Sequence, residues 1–423
     1  MRIAVIGAGI AGNVAAARLH AVHEVTVFEA APHVGGHTHT HEIDLAGRRV
    51  AVDTGFIVYN ERSYPRFTAL LAGLGVATQV SSMSFSVRDE GSGLEYNGTS
   101  LNALFAQRRN LVRPAFLGMV LDILRFHREA PRVLDGHGPE LALGEFLAAG
   151  RYGRAFRELY IVPMGAAIWS TDPGRMLDFP ARFFIRFLHN HGMLTVNDRP
   201  VWRTIAGGSA RYVERLTAPF RNRIRVATPV ESVRRVPGGV IVKPRGHEAQ
   251  RFDAAFLACH SDEALQLLAD PDPAEREVLG AIPFRRNEAV LHTDGRMLPR
   301  SALAHAAWNY HRLADPAGPV ALTYCMNTLQ RLELPVPLLV TLNRTDAIDP
   351  GRVLRRMTYA HPVFTPASVA AQGRHRELNG ARRTYYCGAW WRNGFHEDGV
   401  ASAEAAVQHF EEDHAQRPLH RSA

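Results

Sequence analysis

The stretch R-I-A-V-I-G-A-G-I-A-G-N-V-A-A-A-R-L-H, residues 2–20, decides the fold. Its first five residues are short, apolar and largely β-branched, and they read as a buried strand. Gly7, Gly9 and Gly12 then stand in the spacing G-x-G-x-x-G, and an alanine-rich helix over Asn13–His20 follows. A second strand, E-V-T-V-F-E, ends on Glu29, 22 residues after Gly7. Strand, glycine turn, helix and strand make a right-handed βαβ unit and hence a parallel sheet. In such a turn the first glycine permits the tight bend and the second lets a pyrophosphate approach the backbone. The third lets helix and strand pack closely, while the helix N-terminus faces the phosphates. A carboxylate at Glu29 accepts both ribose hydroxyls and repels a 2′-phosphate.

The fingerprint alone fits NAD and FAD. Just past Glu29, V-G-G-H brings Gly35, Gly36 and His37 to a second approach on the pyrophosphate, the arrangement of glutathione-reductase-type flavoproteins. No second G-x-G-x-x-G exists in the chain, so one nucleotide is expected, and FAD is the economical choice.

Composition excludes other classes. The 423 residues suffice for two or three domains, and 46% hydrophobic with 21% charged residues is an ordinary globular balance. Of 49 basic residues 48 are arginine, spread among acids, and Lys243 is the single lysine. The net charge of +8 comes without a basic tract or a nucleic-acid motif, so no nucleic-acid partner is expected. Cys259, Cys325 and Cys387 form neither a disulfide framework nor a C-x-x-C pair, which suits a reducing cytoplasm. With a strand beginning at Arg2 no signal peptide is expected, and no apolar run approaches the ~20 residues of a membrane span.

Further along, a hairpin is expected from His37–Ile43 and Arg49–Val52, and a helix from Ser63 to Gly75. Helices are expected over Arg108–Ala130 and Leu141–Arg157, and strands over Arg223–Val230, Gly239–Lys243 and Phe252–Ala258. Three more strands are read at Ala289–His292, Val320–Met326 and Leu338–Leu342. Near the end come strand Thr384–Tyr386, a loop over Cys387–Asp398 and helix Val400–Glu411.

These parts together resemble the flavin-containing amine oxidase and phytoene desaturase superfamily, over most of the chain. The resemblance rests on the N-terminal fingerprint with V-G-G-H, on the segment from Arg223 to Ala258, and on Y-Y-C-G-A-W-W-R-N-G-F-H-E-D-G-V near the end. More narrowly, G-G-H-T-H-T, D-T-G-F-I-V-Y-N-E-R, M-G-A-A-I-W-S and G-F-H-E-D-G resemble a bacterial branch of FAD-dependent oxidoreductases that accompany cyclopropane-fatty-acid-synthase-like enzymes. The match implies an α/β fold: a glutathione-reductase-type FAD domain from 1–80, 205–280 and 375–415, and an α+β substrate domain from 81–204 and 281–374. Residues 416–423 form a tail. It implies that the backbone of Val230 meets the adenine, and that Gly55 and Phe56 run under the ring. Gly388 and Ala389 would lie by the ribityl chain, and His396, Glu397, Asp398, Gly399 and Val400 against the pyrimidine edge. Tyr59, Asn60, Ile168, Trp169 and Phe395 would face the substrate. His396, Tyr59 and Trp390 are the catalytic candidates, His396 as acid or base.

Two departures bear on the chemistry. Family oxidases place a lysine that holds a water at flavin N5, whereas Lys243 sits in V-I-V-K-P after a Pro-Gly-Gly turn; arginine cannot deprotonate in its stead. Ala389 stands where relatives often carry an acid. The expected reaction is therefore hydride removal from a C–H bond of a hydrophobic substrate, an acyl chain of a lipid, giving desaturation or double-bond movement. Amine oxidation is the enzyme alternative, and an FAD-binding accessory subunit of an acyl-modifying methyltransferase is the non-catalytic one. His37, His39 and His41 share a period of two but read as a hairpin beside the pyrophosphate, so no metal is expected. His189-Asn-His191-Gly192 reads as a helix end and turn. Ala103–Arg128 and Ala181–His191 mix apolar residues with arginine, which suits either solvated helices or peripheral contact with the inner face of an anionic membrane.

Overall fold

A computed structural model describes residues 1–45, 47–136, 140–195, 197–315 and 318–415; the tail 416–423 lies outside the described residues. At its centre is a five-stranded sheet. β1 (Arg2–Ile6) feeds α1 (Ile10–Leu19) and β2 (Glu24–Phe28), and β3 (Ile224–Arg225), β4 (Ala254–Leu257) and β5 (Thr384–Tyr386) complete the order β3-β2-β1-β4-β5. All four pairings are parallel. Alternation along β1 splits its side chains between two cores. Ile3 and Val5 join a cluster with Val14 of α1 and Phe410 of α5 (His396–Ala415), whereas Ala4 and Ile6 join one with Val240, Phe252 and Val278. Both faces are thus covered, as a parallel sheet requires.

A seven-stranded sheet forms the second layer, running 353–362, 284–292, 339–342, 321–325, 308–312, 85–89 and 94–97. It is antiparallel except where 308–312 pairs with 85–89. Helices α2 (Pro65–Gly73), α3 (Pro114–Glu129) and α4 (Ala181–Asn190) belong to the helical parts; α3 and α4 share a third core with Val87, Tyr310 and Leu322 of this sheet. The fold is therefore mixed α/β, a parallel nucleotide-type sheet beside a mixed sheet with helices.

Several elements differ from the sequence reading, each for a local reason. Pro114 disfavours helical geometry at Arg113, whose ψ of 110° splits the expected long helix into a 3₁₀ turn at Arg108–Val112 and α3. The helix expected over Leu141–Arg157 stops at Ala149, because Arg151 adopts a left-handed φ of 51°; it resumes at Arg154 and passes into a π turn at Arg157–Ile161. The strand expected over Arg223–Val230 keeps only Ile224–Arg225 before Ala227 turns at φ 49°, and a new strand starts at Val230. The first hairpin strand begins at Thr40, so His37 and His39 precede it. The last helix begins at His396, not Val400.

Candidate active site

Two glycine turns build a cradle at the carboxyl ends of β1 and β2. Gly7 has φ +103°, and a Cβ there would lie 2.8 Å from the Ala258 carbonyl oxygen; a Cβ on Gly12 would overlap the Gly7 carbonyl. Nothing stands within 4 Å of a Cβ on Gly9, so the middle glycine faces open space. Gly36, at φ +59°, puts the second turn against it, its added Cβ 3.1 Å from Gly9 Cα, and Gly35 N–H donates to the Ala8 carbonyl at 2.8 Å. Glu29 closes one end. Its carboxylate accepts from the N–H groups of Ala8 and Ala31 at 2.7 and 2.8 Å, and Thr228 N–H, two residues before Val230, donates to the Glu29 carbonyl at 2.8 Å. Bare backbone facing open space, a positive helix end and a carboxylate fixed against the turn fit a dinucleotide such as FAD.

A second helix N-terminus converges there. A Cβ on Gly399 would sit 2.6 Å from Ile10 Cγ2, so α5 starts against the start of α1. Gly388 N–H donates to Ser402 Oγ at 2.9 Å, which fixes the loop with Ala389 to the first turns of α5, where Val400 is buried. Glu397 turns its carboxylate onto the N-terminus of α2, accepting from Arg66 and Phe67 N–H at 3.2 and 2.9 Å. Burial pushes the Asp398 carboxyl up to about 7, and it accepts from Phe395 N–H at 3.0 Å.

His396 is nearly enclosed. Its Nε2 meets Thr38 Oγ1 at 2.9 Å and the Tyr212 hydroxyl at 3.1 Å, and its ring stacks on Phe56 with centroids 3.6 Å apart. Burial pushes its pKa down to about 3, so the ring is neutral. Gly55 and Phe56 lie over His37, whose carbonyl accepts from Phe56 N–H at 2.7 Å. His37 sits among His361, His260 and Tyr359, with ring centroids 5.3, 6.3 and 5.2 Å away, and burial with the neighbouring imidazoles holds it well below the usual histidine range. Among the described residues no three His, Cys, Asp or Glu side chains gather as metal ligands.

The substrate-facing candidates do not all meet. Phe395 packs against both the nucleotide-sheet core and the helical core, and stacks on Phe187 at 5.0 Å. Trp169 reaches the same seam through a hydrogen bond from Nε1 to the Asn393 carbonyl at 3.1 Å, with Ile168 beside it in the helical core. Asn60 is fully buried. Tyr59 packs on Phe67 and Tyr64 inside the nucleotide-sheet core. Trp390 is a correction: its indole lies in the opposite core with Ala4 and Phe28, its N–H bound to the Cys259 carbonyl at 3.0 Å. Its neighbourhood in sequence to the flavin loop misled the expectation, because the loop turns that side chain under the sheet. Lys243 is on the antiparallel strand Gly239–Pro244, its ammonium donating to the His247 carbonyl.

His191 was passed over as a turn residue. It stacks on Phe187 at 3.9 Å and lies 6.0 Å from both Tyr64 and Phe395. The signal was there in the spacing of four between Phe187 and His191, which places them on one helix face.

Fold and cradle together define a flavoprotein of the glutathione-reductase type. The model of flavin-containing amine oxidoreductases matches residues 10–291, and the chain belongs to that family. It is an FAD-dependent oxidoreductase of the amine-oxidase type. No curated relative matches the sequence. Solved structures share the fold. Cyclohexylamine oxidase from Brevibacterium oxydans IH-35A is 16% identical with a TM-score of 0.68, covering 97% of this chain and 99% of that one. The CLA-producing fatty acid isomerase from P. acnes is 18% identical with a TM-score of 0.70, covering 97% and 98%. Putrescine oxidase is 14% identical with a TM-score of 0.68, covering 97% and 99%.

Proposed function

We propose that the protein oxidises a C–H bond in an apolar chain, an acyl chain of a lipid, with desaturation or double-bond movement as the outcome. The observation that carries this is the lining of the seam, where Trp169, Phe183, Phe184, Phe187 and Phe395 join ring to ring. Bound FAD supplies the acceptor for a hydride. The chain's residues supply the rest: glycine turns and two helix ends hold the nucleotide, Glu29 orients its ribose, and the aromatic wall excludes water and aligns an apolar chain. Tyr59 is packed in the nucleotide-sheet core rather than on that wall, and neutral His396 positions the loop under the ring through Thr38, Tyr212 and Phe56. Lys243 is committed elsewhere, so a lysine-held water is not part of the chemistry. Similarity to a fatty acid isomerase supports the reading, and similarity to amine oxidases supplies its rival.

Anaerobic mixing of the holoprotein with fatty acids or phospholipids, and separately with amines, decides between them. Bleaching of the flavin absorbance by lipid is expected. Bleaching by amines alone overturns the proposal, and bleaching only after an acyl-modifying methyltransferase is added makes the chain an accessory subunit.

We also propose that one face of the helical part rests on an anionic lipid surface. Leu117, Leu121 and Leu124 follow the i, i+4, i+7 spacing on α3 and are exposed, Leu121 at 67%, with Val112 at 81% just before the helix. Arg108, Arg109 and Arg113 bond to neutral oxygens of Asn102, Phe105, Gly93, Gln107 and Asn110, and no carboxylate pairs with them among the described residues. A second copy of the chain would set these arginines against each other, whereas acidic headgroups complement them. No described helix is long and apolar enough to cross a membrane, so such contact would be peripheral.

A further inference from the structure

Two buried polar groups beside the aromatic seam have no partner, and their protonation is fixed by their neighbours. His191 Nδ1 lies 2.9 Å from the Phe187 carbonyl oxygen, which only accepts, so Nδ1 carries the hydrogen. Burial holds the ring neutral, its pKa pushed down to about 4. Nε2 is therefore a bare lone pair, and nothing bonds to it. Asn60 is the converse. Its Oδ1 accepts from Ser63 N–H at 2.8 Å, which identifies the amide oxygen, and the Nδ2 group finds no acceptor. His191 is 7% exposed and Asn60 fully buried.

The fold brings the two groups to one aromatic cluster. Ser63 Oγ donates to the carbonyl of Asn190, the residue before His191, at 2.9 Å. Trp202 is Asn60's partner across the ladder, and its ring lies near parallel to that of His191 at 6.5 Å. Tyr64 and Phe395 complete the surround, each 6.0 Å from the imidazole. We infer that Asn60 and His191 form the polar end of the substrate pocket and take a group that both donates and accepts a hydrogen bond, a hydroxyl or an un-ionised carboxyl on an apolar chain. This rests on the reading of the seam as the site of an apolar substrate. An alcohol gives its hydrogen to Nε2 and its oxygen to Nδ2. An ammonium head offers only donors and sets a cation against the Asn60 N–H groups, and a carboxylate sets an anion against the lone pair of His191.

Calorimetry on the FAD-loaded protein at pH 7 tests this with 1-octanol, 1-methoxyoctane, octylamine and octanoate. Octanol is expected to bind about tenfold tighter than the ether, which cannot donate, and that factor corresponds to about 1.4 kcal/mol. Octylamine and octanoate should bind more weakly than octanol. His191→Phe keeps the stacked ring, and Asn60→Leu keeps the bulk. His191→Phe should bring octanol down to the affinity of the ether without changing the ether itself, whereas Asn60→Leu should weaken octanol and ether alike and leave the octanol preference in place, with flavin content and melting temperature confirming the fold. Equal affinities for octanol and ether in the native chain, an octanol preference that survives His191→Phe, or an ether affinity that Asn60→Leu leaves unchanged overturns the polar end while leaving the apolar pocket standing. Failure of every octyl probe to bind overturns the pocket reading itself. A water fixed between Nδ2 and Nε2 that octanol does not displace also overturns the inference.

Discussion

At the scale of single residues, the site depends on atoms that are missing and on one ring that does not titrate. Gly12 has no room for a side chain, because its Cβ would overlap the Gly7 carbonyl. Gly12→Val should therefore be purified without flavin, measured by absorbance after gel filtration, and a normal flavin content would contradict the cradle. His396 argues differently. Held neutral, with Nε2 occupied by two hydroxyls, it is placed to position Phe56 and the start of α5 rather than to pass protons. His396→Ala should retain flavin and slow its reduction, while the pH profile of reduction between pH 5 and 9 keeps its shape. Loss of a pH step present in the native enzyme would make His396 a proton carrier after all. The stability cost should be about 1–3 kcal/mol, because the Thr38 and Tyr212 hydroxyls keep each other at 2.6 Å and one hydroxyl hydrogen is left unmatched.

At the scale of elements, the exposed stripe of α3 gives a direct test. Native protein should sediment with vesicles containing phosphatidylglycerol and stay free of pure phosphatidylcholine, with binding weakened at high salt. Leu121→Glu with Leu124→Glu should abolish binding and leave flavin content unchanged; equal binding by this variant removes the proposed surface. How far the elements could be read from the chain depended on how local their causes are. The βαβ unit, Glu29 and the second glycine turn were legible because strand, turn and helix signals follow one another within some 36 residues. Strand Thr384–Tyr386 was legible for the same reason. The break at Arg151 and the turn at Ala227 were not, since a left-handed φ at a non-glycine residue is imposed by tertiary contacts, such as the bonds from Ala227 and Thr228 N–H to the carbonyls of Ala31 and Glu29. Nor was the stacking of His191 near Tyr64, Trp202 and Phe395, which neighbours in sequence do not announce. Trp390 failed in the opposite direction: a functional loop contains residues that face away from its function.

At the scale of the whole molecule, histidines set how stability follows pH. His191, His292, His311 and His396 are all buried, and burial lowers their pKa values to about 4, 4, 3 and 3. A folded pKa below the unfolded value of about 6.5 contributes stability that is fully present above pH 6.5 and is lost as pH falls, because only the unfolded chain takes up the proton. Each such ring removes about 1.4 kcal/mol per pH unit below 6.5, so four remove about 5. Asp53 and Asp398 oppose this. Their carboxyls are raised by burial to about 6 and about 7, so the folded state takes up protons first and regains about 1.4 kcal/mol per unit from each as pH falls toward 4. For these six groups alone the balance between pH 6 and 5 is a loss of about 2–3 kcal/mol, and His37, His39, His127, His361 and His375, lowered by burial as well, add to it; the total is a large share of the ~5–15 kcal/mol typical of a folded protein. Urea midpoints measured on the holoprotein should therefore decline steeply below pH 6 and level off above pH 7. His311→Gln, which keeps a partner for the buried Thr323 hydroxyl now 3.1 Å from the ring, should flatten the slope by about 1.4 kcal/mol per unit. Midpoints that stay constant from pH 7.5 to 5, or a slope that His311→Gln leaves untouched, would show that these rings do not carry the dependence.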